Sequence, residues 1–229
     1  MTTRRHCLAA LLGPALRGLP AFTGLRALPA SSVLRVLPAL PVLPALAAPP
    51  GPGASARAAA ASTFASNFDG ATLRDQEGRP FVPSSLAGRT VLYHFVFTGC
   101  STVCPVQTQV LAQVQRGLAR PVQQRVHFVS VSLDPLADTP AVLKAYALRL
   151  GANLAHWSFV TGRPEDIERV ADRLRLFAPG PDARRPDDHT TSLWVADRQG
   201  QLRQRYPGNP PDRARLVAEL TQLDAVTQG

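Results

Sequence analysis

Thiols are scarce in this chain: its 229 residues include only three cysteines. That count excludes a disulfide-stapled scaffold, and 45% hydrophobic content suffices for one good-sized core without staples. Acids are missing from the first 68 residues. No Asp or Glu precedes Asp69, whereas Arg4, Arg5, Arg17, Arg26, Arg35 and Arg57 do, so six of the nine net positive charges belong to that segment. The other 19 basic groups are interspersed with all 16 acids, which removes the basis for a nucleic-acid partner. Long apolar runs are absent from it as well. Arg17, Arg26, Arg35 and recurrent prolines interrupt the early chain before it reaches the ~18–20 apolar residues of a membrane-spanning helix, so the pattern gives no support to a membrane tether.

What is present divides into two parts. Residues 1–62 read as an export leader of low-complexity Ala/Leu/Pro sequence. Thr3-Arg4-Arg5 followed by Leu8 resembles a twin-arginine export signal, and Ala45-Leu46-Ala47 and Ala54-Ser55-Ala56 are small-x-small cleavage candidates, so a periplasmic location is expected. Leu-Pro pairs from Leu19 to Pro44 forbid a stable helix there. Residues 63–229 are ordinary globular sequence and form the expected folded domain.

Within that domain, Asp75-Gln76-Glu77-Gly78-Arg79 predicts the turn of an N-terminal β-hairpin. Thr90–Phe97 and Val126–Leu133 are β-branched and aromatic runs, expected as strands buried on both faces. Pro105 is expected to open a helix whose apolar stripe is Val106, Val110, Leu111, Val114 and Leu118, ending at Pro121. Asp138-Thr139-Pro140 caps a second helix through Leu150. Trp157–Val160 is a short strand, and Pro164 opens a third helix to about Phe177. Ser192–Ala196 and Leu202–Tyr206 flank a turn, and a helix from Asp212 closes the chain. Alternating strands and helices imply crossover units on a central mixed sheet flanked by helices, an α/β architecture.

The chemistry concentrates at Phe97-Thr98-Gly99-Cys100-Ser101-Thr102-Val103-Cys104-Pro105. Two thiols at a strand-to-helix turn serve either disulfide exchange or soft-metal binding, because thiolate is the reactive form in both. A helix N-terminus favours thiolate, and Cys104 is expected to receive more of that effect than Cys100. Neither position is expected to pack in the core. Two sulfurs leave a metal site incomplete, so a third ligand is sought elsewhere. His94, His127 and His156 sit at strand positions expected to be packed or at the surface. His189 ends a polar loop directly before a strand, where it can reach the sheet end that carries the cysteines, with Asp187 or Asp188 placed to orient its imidazole. Taken alone, the residues leave both chemistries open. Peroxide reduction on a related fold would need a supporting Arg near the pair, and the sequence has none there.

Four blocks occur in order: Phe97–Pro105; Val131-Ser-Leu-Asp-Pro-Leu-Ala-Asp-Thr-Pro140 with Leu143–Tyr146; Trp157; and Asp188-His-Thr-Thr-Ser192 before a hairpin. Together they resemble the Sco/SenC family of thioredoxin-like copper chaperones for assembly of the binuclear copper centre of cytochrome c oxidase. The resemblance spans residues 64–229 and implies a thioredoxin-like fold. It also implies copper, as Cu(I) or Cu(II), on Cys100, Cys104 and His189, and an apo-oxidase copper-binding subunit as partner. Other copper chaperones or thiol reductants are further partners it suggests. Ser101 departs from the Pro that the family usually has after the first cysteine, leaving a less rigid loop. A metallochaperone, rather than an enzyme, is the expectation. The alternative is a thiol–disulfide oxidoreductase with Cys100 and Cys104 as its redox pair, and His189 discriminates, since disulfide exchange has no need of it.

Overall fold

The computed structural model describes residues 62–179 and 185–226; the readings made on the leader lie outside the described residues. Two β-branched, aromatic runs set the frame. Thr90–Val96 (β3) and Val126–Ser132 (β4) are buried at every position, as strands covered on both faces must be, and pair in parallel from Thr90↔Val126 to Val96↔Ser132. Leu73–Arg74 (β1) and Pro80–Phe81 (β2) form the expected N-terminal hairpin around Gly78, whose φ of 76° suits glycine. Trp157–Gly162 (β5) runs parallel to β4 and antiparallel to β1. Leu193–Ala196 (β6) runs antiparallel to β3 and to Leu202–Tyr206 (β7). The sheet order is therefore β2-β1-β5-β4-β3-β6-β7.

Helices cover both faces. One face packs Leu92, Phe128 and Phe159 against helices α1 (Val103–Gly117), α3 (Pro140–Arg149) and α5 (Arg213–Val226), through Leu111, Val114, Leu143, Tyr146, Leu216 and Leu220. The other packs Val91, Tyr93, Phe95 and Val129 against α4 (Pro164–Arg173) and the short turn at Phe64–Phe68. Alternation along β3, with Leu92 on one side and Val91, Tyr93 and Phe95 on the other, is the period of two that a doubly covered strand requires.

Three expected boundaries move, α4 stopping at Arg173 rather than at about Phe177. Pro121 does not end structure: it opens the short helix α2 (Arg120–Arg125), since a proline in a first turn loses no hydrogen bond there. Helix α1 starts at Val103, two residues before Pro105, so Cys104 lies within its first turn. Its buried stripe is Cys104, Gln107, Thr108, Leu111, Ala112, Val114 and Gln115, whereas Val106 is half exposed. Among the described residues, no helix is long and apolar enough to cross a membrane.

Candidate metal centre

Strands β3 and β4 end level with one another, and the loops that leave them, 97–102 and 133–139, run side by side at the carboxyl edge of the sheet. Leu133 N–H donates to the Val96 carbonyl at 2.8 Å. The fully buried Asp138 then ties both loops together. Its carboxylate accepts from Thr98 N at 3.1 Å, from Thr98 Oγ1 at 2.5 Å and from Ser132 Oγ at 2.6 Å. Burying a carboxylate is costly unless such donors surround it, so this staple fixes where the thiol loop starts. The role of Asp138 is structural.

Both cysteines are free thiols, and they differ. Cys100 is partly exposed; its Sγ accepts the Cys104 N–H at 3.4 Å. Partial burial opposes ionisation of Cys100. The N–H groups of residues 102–104 and the Cys104 thiol outweigh it, and the net shift is downward from the ordinary thiol value. Cys104 is pushed up to about 12, first by burial and further by the facing Cys100 and Asp187. This corrects two expectations. The thiol that gains from the helix N-terminus is Cys100, because its sulfur sits in front of the first N–H groups, while Cys104 lies one turn further in. Cys104 also packs as core, with Val96 and Phe97, and Cys100 rests against that cluster.

His189 is brought to the same end. Its ring meets Phe97 edge-on, with centroids 6.4 Å apart, and is largely buried. Nδ1 lies 2.5 Å from the Pro186 carbonyl oxygen. A carbonyl only accepts, so Nδ1 carries the proton and Nε2 presents its lone pair, the form that ligates a metal. Asp188, expected to orient the imidazole, instead pairs with Arg185 at 3.3 Å, which holds its carboxyl below the ordinary value; the orienting acceptor is the Pro186 carbonyl. Backbone acceptors leave no trace in residue type, so this one was invisible beforehand.

His94, His127 and His156 stay apart from this centre as ligands. His94 is buried in β3, bonded to Gln107 and Ser130; His127 meets Ser158; His156 precedes β5. Among the described residues, no three His, Cys, Asp or Glu side chains already stand together at ion-holding distance. The centre thus offers one soft sulfur on the loop after β3, a second in the first turn of α1, and one imidazole on a neighbouring loop, with Phe97 against both Cys104 and His189. That donor set suits copper, which favours thiolate with imidazole. Sequence reasoning missed Gln107, although a polar residue three positions after Cys104 on the buried stripe was a signal to find it by.

Residues 57–224 match the model of the family described as SCO1/SenC. The chain is 29% identical over 140 residues to the SCO1 protein homolog of Bacillus subtilis, covering 60% of this chain and 72% of that one. It spans between 45% and 66% of the length of seven other curated relatives. Among solved structures, copper-bound ScoI of Bradyrhizobium japonicum aligns with a TM-score of 0.57 and 27% identity, over 67% of this chain and 96% of that one. BsSco, a Sco-family cytochrome c oxidase assembly protein in which a disulfide switch was identified, aligns at 0.56 and 26%, over 67% and 91%. The fold is thioredoxin-like.

Proposed function

We propose, from the premise that this chain belongs to the SCO1/SenC family, that it is a copper-binding metallochaperone. Its ligands are Cys100, Cys104 and His189, and it delivers copper to the binuclear site of cytochrome c oxidase during assembly of that enzyme. The observation that carries this reading is the tautomer of His189. Its Nδ1–H is held by the Pro186 carbonyl, which leaves Nε2 as the ligating nitrogen, and its ring lies edge-on against Phe97 of the buried thiol cluster. Disulfide exchange has no use for such a nitrogen. Loading draws the imidazole and the two thiols onto the ion, and Gly99 and Ser101 leave the thiol loop free to adjust. Copper ligation also deprotonates Cys104, whose proton is otherwise held by burial, so loading at neutral pH releases a proton. Copper-bound relatives of the same fold support the reading. The folded unit at 63–229 follows an export leader, and the periplasm is the proposed compartment.

A second reading, thiol–disulfide exchange with partner cysteines, is favoured by the inequality of the two thiols: a partly exposed sulfur with lowered pKa attacks, and a buried one resolves. The two activities share residues and are compatible. His189→Ala separates them. It is expected to weaken copper binding by at least about tenfold, since losing even a group that only orients a ligand costs about that much, while disulfide reduction stays near wild type. Copper absorption spectroscopy on the reduced chain should give two sulfurs and one nitrogen per copper. Equal copper affinity in both proteins overturns the chaperone reading and leaves the redox one.

A further inference from the structure

Gln107 stands one helical turn beyond Cys104 on α1, almost fully buried. Its amide makes three hydrogen bonds. Nε2 donates to the carbonyls of Thr191 at 2.7 Å and Gly208 at 2.8 Å, and Oε1 meets His94 Nδ1 at 3.1 Å. Carbonyls only accept, so the amide nitrogen must face them and the amide oxygen must face His94. His94 therefore carries its proton on Nδ1. Its Nε2 accepts from Ser130 Oγ at 2.6 Å, and Ser130 accepts from Trp157 Nε1 at 2.8 Å. The donors run in one direction, from Trp157 on β5 through Ser130 on β4 and His94 on β3 to Gln107, and end on two loop carbonyls. A buried chain with each of these bonds made is rigid, and removing one member leaves its neighbours unpaired.

The destination of this chain matters. Thr191 follows His189 by two residues, and the intervening Thr190 N–H is fixed to the Leu176 carbonyl at 2.8 Å. Space at the junction is also closed. A Cβ at Gly208 would fall 1.7 Å from the Thr191 oxygen and 2.1 Å from Gln107 Nε2, so only bare backbone fits where the three segments meet. One helix thus carries a thiol of the candidate centre and, a turn later, the anchor of the loop that carries its imidazole.

We propose that Gln107 is a positioning residue: its amide locks the His189 segment to the helix that bears Cys104 and so sets the approach of the imidazole to the thiols. The proposal rests on the reading of Cys100, Cys104 and His189 as copper ligands. It assigns no contact between Gln107 and the ion. The effect travels through the Thr191 carbonyl and two residues of backbone.

The test compares full-length wild type, Gln107→Met, His189→Ala and the double variant. Methionine keeps the length of the side chain but donates to neither carbonyl. Copper affinity is measured by competition with a chelator for Cu(I), and the site is read by electron paramagnetic resonance of the Cu(II) form. Gln107→Met is expected to lose about tenfold in copper affinity, the scale of one or two hydrogen bonds, and to show an altered Cu(II) spectrum. Hydrogen exchange at residues 190–192 in the metal-free protein should rise, while reduction of a Cys100–Cys104 disulfide by a small dithiol stays within about twofold. In the His189→Ala background the Gln107 substitution should cost nothing more. Wild-type affinity and spectrum in Gln107→Met, beside a weakened His189→Ala, overturn the positioning role and spare the ligand reading. An undiminished loss in the double variant also overturns it, as general destabilisation. Unchanged affinity in His189→Ala removes the ligand reading and this proposal with it. If Gln107→Met does not fold, Gln107→Glu, which keeps an acceptor for His94 and loses both donors, is judged by the same outcomes.

Discussion

Cys100 and Cys104 are the same residue type four positions apart, yet their surroundings make them different reagents. Cys100 faces N–H groups at the start of α1; Cys104 is sealed between Val96 and Phe97. At pH 7 the reduced chain should therefore alkylate with iodoacetamide at Cys100 at least about tenfold faster than at Cys104, because thiolate fraction and access both favour it. Peptide mass spectrometry during partial labelling checks this, and modification of Cys104 first would reverse the assignment of attacking and resolving sulfur. Asp138 gives a second expectation of the same kind. Asp138→Ala strands the Thr98 N–H, the Thr98 hydroxyl and the Ser132 hydroxyl in a buried place, and should lower stability by about 2–4 kcal/mol. Urea unfolding reads it directly; a loss below about 0.5 kcal/mol, the range of surface substitutions, would mean that the two loops are held by other contacts.

Elements show why some of this could be read in advance and some could not. Strands β3 and β4 were legible because a strand covered on both faces needs apolar residues at consecutive positions, and few other arrangements do. Helix α1 was legible in existence but not in phase. Its buried stripe includes Gln107, Thr108 and Gln115, so an apolar-only template rotates the helix and turns Val106 inward when it is half exposed. The same cause hid the depth of Cys104, which depends on where the first turn begins. The position of His189 was legible because a histidine between a polar loop and a strand is confined to one end of the sheet; its role as a ligand came from the family resemblance. The Pro186 carbonyl that sets its tautomer, and the Thr191 and Gly208 carbonyls that Gln107 holds, belong to backbone and carry no residue signature. Gly162, where β5 meets β1, is a case in which tertiary approach alone explains a residue. A Cβ there would lie 2.8 Å from the Thr72 carbonyl oxygen and 2.9 Å from Leu73 Cδ2. Gly162→Ala should push the β1–β2 hairpin away from β5 and cost about 1–3 kcal/mol, as overpacking does. Thermal unfolding is the check, and an unchanged midpoint would show that the hairpin edge yields freely.

The whole molecule responds to pH through histidines that it keeps neutral. His94 and His127 are both lowered to about 4, chiefly by burial. His189 adds to the shift at His94 while the Gln107 hydrogen bond opposes it; Arg89 and His156 add to the shift at His127. In the unfolded chain both titrate near the ordinary 6.5. As pH falls, the unfolded state takes up these protons first, so stability declines from about pH 6.5 to about pH 4 and then levels off for this pair. Each histidine accounts for a loss of roughly 3 kcal/mol by the end of that window. Asp166 acts later. Its hydrogen bond to Arg163 holds it near 2, so the stability it contributes is lost only as pH drops below the usual 3.8. The two windows do not coincide, which makes the histidine part measurable by itself. His127→Gln keeps a partner for Ser158 and removes one titration. Urea unfolding between pH 6.5 and 4.5 should then show a dependence shallower than wild type by up to about 1.4 kcal/mol per pH unit, the value for one proton. Copper plays no part in that measurement, so it reads the fold without the centre. Parallel slopes in the two proteins would mean that His127 takes up its proton as readily folded as unfolded, and the acid sensitivity would then have to come from His94, from His156, which burial also lowers, and from the carboxylates.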